Sequence, residues 1–163
     1  MKLIIDTTQF DNFMDEAEDF FSIDLMYDIG NEIVNFFKDS FRNQGFTDVN
    51  LKPWKKVDGK TKAMIETGKL RNSIRIKKID TRLVEVISDM PYSTIQNDGG
   101  TIIITEKMKK FFWAKYKKTG SPKWKAMALS TKINIPKRQF MGESVALNKI
   151  IQATIEEEYN RIT

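Results

Sequence analysis

The sequence predicts an α+β fold, with one antiparallel β-sheet of about four to five strands packed against N-terminal and C-terminal helices. Three observations carry this. Apolar residues recur every three or four positions near both ends of the 163-residue chain. They alternate with a period of two in the middle, and Gly, Pro, Asn and Asp punctuate the alternating stretch. The length suits a single domain, residues 1–163, with one core.

Taken in order, residues 1–44 read as a strand followed by acidic helices. Lys2 to Ile5 is a short apolar run. Thr8 is a fitting N-cap for a helix whose apolar side is Phe10, Phe13, Met14, Ala17, Phe20 and Phe21. A longer helix follows Ser22, with Met26, Ile29, Ile33, Phe36, Phe37 and Phe41 on one side, Asp24, Asp28 and Glu32 on the other, and Gln44-Gly45 as its stop. Residues 45–66 lack a sustained period and read as a long loop with a helical turn near Thr61 to Glu66.

Residues 67–142 form a basic, β-rich segment with one inserted helix. Ile74, Ile76 and the run Leu83 to Ile87 flank Asp80-Thr81-Arg82 as a β-hairpin. Asp98-Gly99-Gly100 is a tight turn feeding a strand from Thr101 to Thr105. The inserted helix spans Glu106 to Lys117 and stops at Gly120-Ser121-Pro122; Ile133, Ile135 and Pro136 end the last strand. Residues 143–163 form a C-terminal helix starting near Ser144, marked by Leu147, Ile150, Ile151, Ile155 and Ile162.

The chain has neither His nor Cys. Zinc sites built on thiolate or imidazole, Ser-His-Asp and Cys-His nucleophiles, and disulfides are therefore excluded. With 40% apolar residues and 11% aromatics the chain is expected to fold. The N-terminal apolar stretch is too short for a signal-peptide core and no window suits a membrane span, so a soluble intracellular protein without membrane contact is expected.

The net charge of +5 conceals a segregation. Residues 1–50 carry three bases against eleven acids, a net of −8; residues 51–142 carry 22 bases against seven acids, a net of +15; residues 143–163 carry two against four. Such polarity suits a nucleic-acid contact from the middle segment and equally suits subunits docking acidic face to basic face.

Catalytic motifs fail on their own terms. Gly59-Lys60-Thr61 copies the end of a P-loop, but Trp54 stands where its first Gly belongs. No Ser-x-x-Lys pair occurs, and Glu156-Glu157-Glu158 points three ways around a helix. No enzymatic activity, metal or cofactor is expected. An oxygen-ligand metal nuclease would need carboxylates gathered from distant segments.

The stretch Lys107 to Lys125 interleaves Phe111, Phe112, Trp113, Tyr116 and Trp124 with eight Lys. Stacking rings beside phosphate-neutralising cations suit single-stranded nucleic acid, with Lys107, Lys109, Lys110, Trp113, Lys117, Lys118 and Trp124 as the contacts. The alternative is structural, with Met108 and Phe112 covering a sheet and the lysines reaching water.

Three strings in order carry a resemblance. Thr67-Gly68-Lys69-Leu70-Arg71-Asn72-Ser73-Ile74 resembles the TGxLxxSI string of the phage virion morphogenesis, or tail-completion, proteins typified by the G protein of phage Mu. Pro91-Tyr92-Ser93-Thr94-Ile95-Gln96-Asn97-Asp98-Gly99-Gly100 is similar to that family's PYAxIHNxGG, with Gln96 in place of the usual His. Ile135-Pro136-Lys137-Arg138-Gln139-Phe140-Met141-Gly142 is similar to its IPxRxFxG, and Pro53-Trp54 also fits.

The resemblance implies a non-enzymatic assembly protein of a phage or prophage, acting in tail completion or at the head-tail junction as a homo-oligomeric ring. Its implied partners are further copies of itself, the tail tube, and connector or portal-proximal proteins, with DNA passing through the lumen. Its implied place is the host cytoplasm during assembly, with retention in the virion left open. The residues expected to make oligomer or partner contacts are Trp54, Lys55, Lys56 and Lys60 in the Lys52 to Lys62 loop, Gln96, Asn97, Gly99 and Gly100, and Arg138 with Phe140. Gly68 is expected to stop a helix, and the donor fork of Arg138 suits a carboxylate on another segment or subunit. The alternative is a stand-alone nucleic-acid-binding domain using residues 107–125.

Overall fold

The computed structural model describes residues 1–6, 23–57 and 62–162. The helix expected from Thr8 to Phe21, and Lys60, lie outside the described residues. Strand β1 spans Lys2–Asp6 and helix α1 spans Ile23–Asn43. Helix α1 is the centre of the fold. Met26, Ile29, Ile33, Phe37 and Phe41 are fully buried, and Leu25, Gly30 and Val34 widen the buried stripe to about half the helix circumference. One neighbour cannot cover so wide a stripe; α1 packs on a sheet along one side and on the C-terminal helix along the other.

That sheet is β1 with β4 (Ile74–Asp80) and β5 (Leu83–Ser88), in the order β1-β5-β4 and antiparallel throughout. Its register shifts between Ile76 and Lys78, which leaves Lys77 as an extra residue in β4. The shift explains the spacing of the apolar residues. Ile74 pairs with Ser88, Ile76 with Val86 and Ile79 with Val84, so all three isoleucines share the helix-facing side despite the odd interval between the last two. Gly30 lets α1 come close, since a Cβ there would lie 2.7 Å from Ile76 Cδ1 and 3.3 Å from Val84 Cγ1. On the opposite side of β5, buried Glu85 is held by Lys77 at 3.1 Å and Lys2 at 3.4 Å.

The other strands form two small ribbons. β2 (Gly45–Thr47) pairs with β3 (Leu51–Pro53), and β6 (Gly100–Ile103) pairs with β7 (Lys132–Ile135). The α+β class holds, with the antiparallel strands among the described residues divided among three sheets of three, two and two. The β2–β3 ribbon corrects the reading of 45–66 as loop throughout; strands of three residues are too short to show a period. Residues 62–64 form bends, not a helical turn.

Short helices α2 (Lys69–Asn72) and α3 (Ser93–Asp98) flank the β4–β5 hairpin. Gly68, at φ +69°, precedes α2 as its N-cap, so it starts a helical turn where a helix stop was expected. Helices α4 (Glu106–Thr119) and α5 (Pro122–Leu129) lie between β6 and β7, two inserted helices where the sequence showed one. Gly120 closes α4 with φ +66°, and Pro122 begins α5 two residues later.

The C-terminal helix α6 spans Val145–Ile162. Ser144 caps it by accepting from the Leu147 N–H at 3.1 Å, and its hydroxyl donates to the Thr47 carbonyl at 2.9 Å. Asp48 Oδ1 accepts from the Val145 N–H at 3.3 Å, so the β2–β3 turn is tied to the start of α6.

Two apolar clusters result among the described residues. The main core joins α1, the β1-β5-β4 sheet, α6, Trp54, Leu70, Phe140 and Met141. A separate cluster of Ile104, Phe112 and Ala128, with Met108, Trp124, Met127 and Ile133 against it, lies entirely within residues 100–135. That insertion is an arm with a core of its own. No helix among the described residues is long and apolar enough to cross a membrane.

Candidate functional site

The three strings singled out in the sequence converge at the base of the arm. The chain enters the arm through Gly99 and Gly100, with φ +75° and +153°, and leaves it through Pro136 and Lys137. A Cβ on Gly99 would lie 2.7 Å from Lys137 N and 3.1 Å from Ile135 O, so entry and exit strands pass closer than any side chain allows.

The exit segment is then fastened residue by residue. Arg138 N–H donates to the Gln96 carbonyl at 3.0 Å. The side-chain oxygen of Asn97 accepts from the N–H groups of Phe140 at 2.9 Å and Met141 at 3.0 Å. Trp54 Nε1–H donates to the Gln139 carbonyl at 2.7 Å, and the Ser40 hydroxyl reaches the Phe140 carbonyl at 3.5 Å. Phe140 inserts its fully buried ring against Phe41, whose other neighbour is the Trp54 ring, with centroids 5.2 and 5.4 Å apart.

This arrangement corrects three expected contact residues. Trp54, Asn97 and Phe140 are 8%, 2% and 0% exposed, so they hold the arm to the core and are not open to a partner. The reason is local: each satisfies backbone groups or fills a hole that the turn would otherwise leave. Arg138 is also corrected. Its Nε and Nη2 both donate to the Lys55 carbonyl at 3.3 Å, where a carboxylate was expected. Partial burial lowers its pKa from the ordinary guanidinium value.

Lys55 and Lys56 are exposed beside this latch, Gln96 is half-buried, and Gly100 is exposed. Gln96 lines an open cleft of about 240 Å³ with Tyr92, Met64, Thr67, Lys69 and Leu70, so the first and second strings share one wall. In the first string, Leu70 anchors in the core and the Ser73 hydroxyl links the Leu70 carbonyl to the Ser88 hydroxyl, both at 2.7 Å.

The arm carries the charge. Residues 99–137 hold ten lysines against one acid, Glu106, a net of +9. Glu106 pairs with Lys109 at 2.9 Å, while Lys107, Lys110, Lys117 and Lys118 are exposed and make no ion pair among the described residues. Trp113, 37% exposed, sits on the same outward side of α4 as Lys110 and Lys117. Trp124 is corrected as a stacking platform: its ring lies against Phe112 at 6.0 Å and 27° and is half-buried in the arm's own core. Lys115 lies 5.5 Å from the centroid of the exposed Phe111 ring.

Sequence reasoning did not find Gln44, Ser40 or Asp48. Gln44 ends α1 with φ +55° and ties it to the following segment through its amide, which donates to Phe41 O at 2.6 Å and accepts from Ala63 N–H. Its position just before Gly45, read as a helix stop, was the one available signal. Among the described residues no group of three or more Asp or Glu side chains is placed to hold a metal ion. No protein-family model, curated protein or solved structure matches the chain.

Proposed function

We propose that the chain is a non-enzymatic assembly protein of a phage or prophage, acting in tail completion or at the head-tail junction as a homo-oligomeric ring. One observation carries this reading. The strings that resemble the tail-completion family are separated in sequence by up to about 70 residues, yet they meet at the base of the arm. Gln96 and Asn97 of the second hold Arg138, Phe140 and Met141 of the third, and Gln96 shares a cleft with Thr67, Lys69 and Leu70 of the first. Their meeting at one joint is what supports the reading. The basic arm projecting from that joint, with an acidic α1 on the body, supports repeated contacts between copies.

Light scattering of the purified protein and electron micrographs of it mixed with tail tubes test the reading. A closed oligomer seated on tube ends is expected. Monomer alone, at high concentration and with tubes present, would reject it.

A second reading is favoured by the outward side of α4, where Trp113 is exposed beside Lys110 and Lys117, which make no ion pair among the described residues. It is a single-stranded nucleic-acid contact. A steeply salt-dependent affinity lost in Trp113→Ala would support it; affinity that is undetectable or insensitive to salt would remove it.

A further inference from the structure

We propose that the outward face of α4 docks on the outward face of α1 of a second copy of this chain. The inference rests on the assembly reading above and names the contact by which copies would join.

Each face carries a line of charge that the described residues leave unmatched. On α1, Asp24, Asp28 and Glu32 recur every four residues, are exposed, and make no ion pair among the described residues. They span about 12 Å at 1.5 Å per residue. On α4, Lys110 and Lys117 lie about 10 Å apart on the same scale, with Lys107 and Lys118 beside them. Both lines also flank an exposed aromatic ring, Tyr27 at 51% exposure and Trp113 at 37%.

Charge of one sign beside an exposed ring is thus matched by charge of the other sign beside another. Contact would neutralise both lines and cover two rings of the kind that dominates interface cores. The nucleic-acid reading accounts for the α4 side alone and leaves α1 unexplained. Because the two faces are different surfaces, each copy offers one to each neighbour, and the contact repeats head to tail, closing a ring where the rotation between copies allows it.

The test uses two folded variants of the full chain, Lys110→Glu with Lys117→Glu, and Asp24→Lys with Asp28→Lys. Their mass is followed by sedimentation, with circular dichroism as the check on folding. Wild type is expected to associate, with affinity falling about tenfold or more between about 0.05 and 0.5 M salt. Each variant alone should fall to monomer, and an equal mixture should regain the oligomer, because every contact in an alternating ring then joins opposite charges.

Variants that assemble like wild type, salt-insensitive association, or a mixture that stays monomeric would overturn the docking while leaving ring assembly standing. Wild type that stays monomeric at low salt and with tail tubes would overturn both. If that monomer also bound a single-stranded oligonucleotide through Lys110 and Lys117, the α4 face would be a nucleic-acid surface.

Discussion

Asn97 holds Phe140 across 43 positions of sequence, its side-chain oxygen accepting the Phe140 N–H at 2.9 Å while the Phe140 ring fills the core. The same oxygen takes the Met141 N–H at 3.0 Å. Two buried backbone donors therefore depend on one acceptor. In Asn97→Ala both lose it, and each unsatisfied donor costs about 1–3 kcal/mol. A loss of about 2–4 kcal/mol in urea denaturation is expected. A change below about 0.5 kcal/mol would mean that the latch is not holding the segment.

Gly99 is the second part of that latch. Alanine there meets the Lys137 backbone at 2.7 Å in a left-handed conformation at φ +75°, and backbone cannot turn aside as a long side chain can. Gly99→Ala should cost about 2 kcal/mol or more. A melting temperature within about a degree of wild type would refute the close passage of the two strands.

The arm should open by itself. Its cluster of Ile104, Phe112 and Ala128 is separate from the main core, so Phe112→Ala removes about 3–5 kcal/mol from local packing. Hydrogen exchange is expected to accelerate across residues 100–135 and stay slow in α1. Equal acceleration in both would show that arm and body unfold as one unit.

Acid should weaken the sheet. Burial of Glu85 opposes its ionisation, but the hydrogen bonds and charges of Lys77 and Lys2 outweigh it and hold its pKa below the ordinary 4.5. A carboxylate with a lowered folded pKa contributes stability that is complete above its unfolded pKa and is lost as pH falls through the folded value. Asp48 acts in the same direction, its pKa lowered chiefly by the hydrogen bond from Lys52 and next by the Val145 N–H. The melting temperature should therefore drop as pH falls below about 4.5, and Glu85→Gln should flatten that drop. An unchanged slope in the variant would show that Glu85 gains nothing from its lysines.

The long elements were legible because their residues repeat. Helix α1 shows its apolar stripe in Met26, Ile29, Ile33, Phe37 and Phe41, all fully buried. The β4–β5 hairpin and the start of α6 at Ser144 were equally visible. Helix α3 and the β2–β3 ribbon are too short to carry a period, and α5 hides behind the helix stop at Gly120-Ser121-Pro122. In the candidate site, the burial of several expected contact residues was not legible. Trp54, Asn97 and Phe140 look like surface recognition groups in a polar, aromatic stretch, and only their burial shows them to be fastenings.

The sequence by itself determined the α+β class, the long helices, the hairpin and the separation of acidic from basic segments, because periodicity and charge are properties of neighbouring residues. Tertiary structure decided that residues 100–135 leave the body as an arm with its own core, that one Asn holds the arm's exit, and that Arg138 grips a carbonyl of Lys55. Those outcomes depend on which backbone donors are left without partners once segments 40 to 100 residues apart have packed, and no local pattern records that.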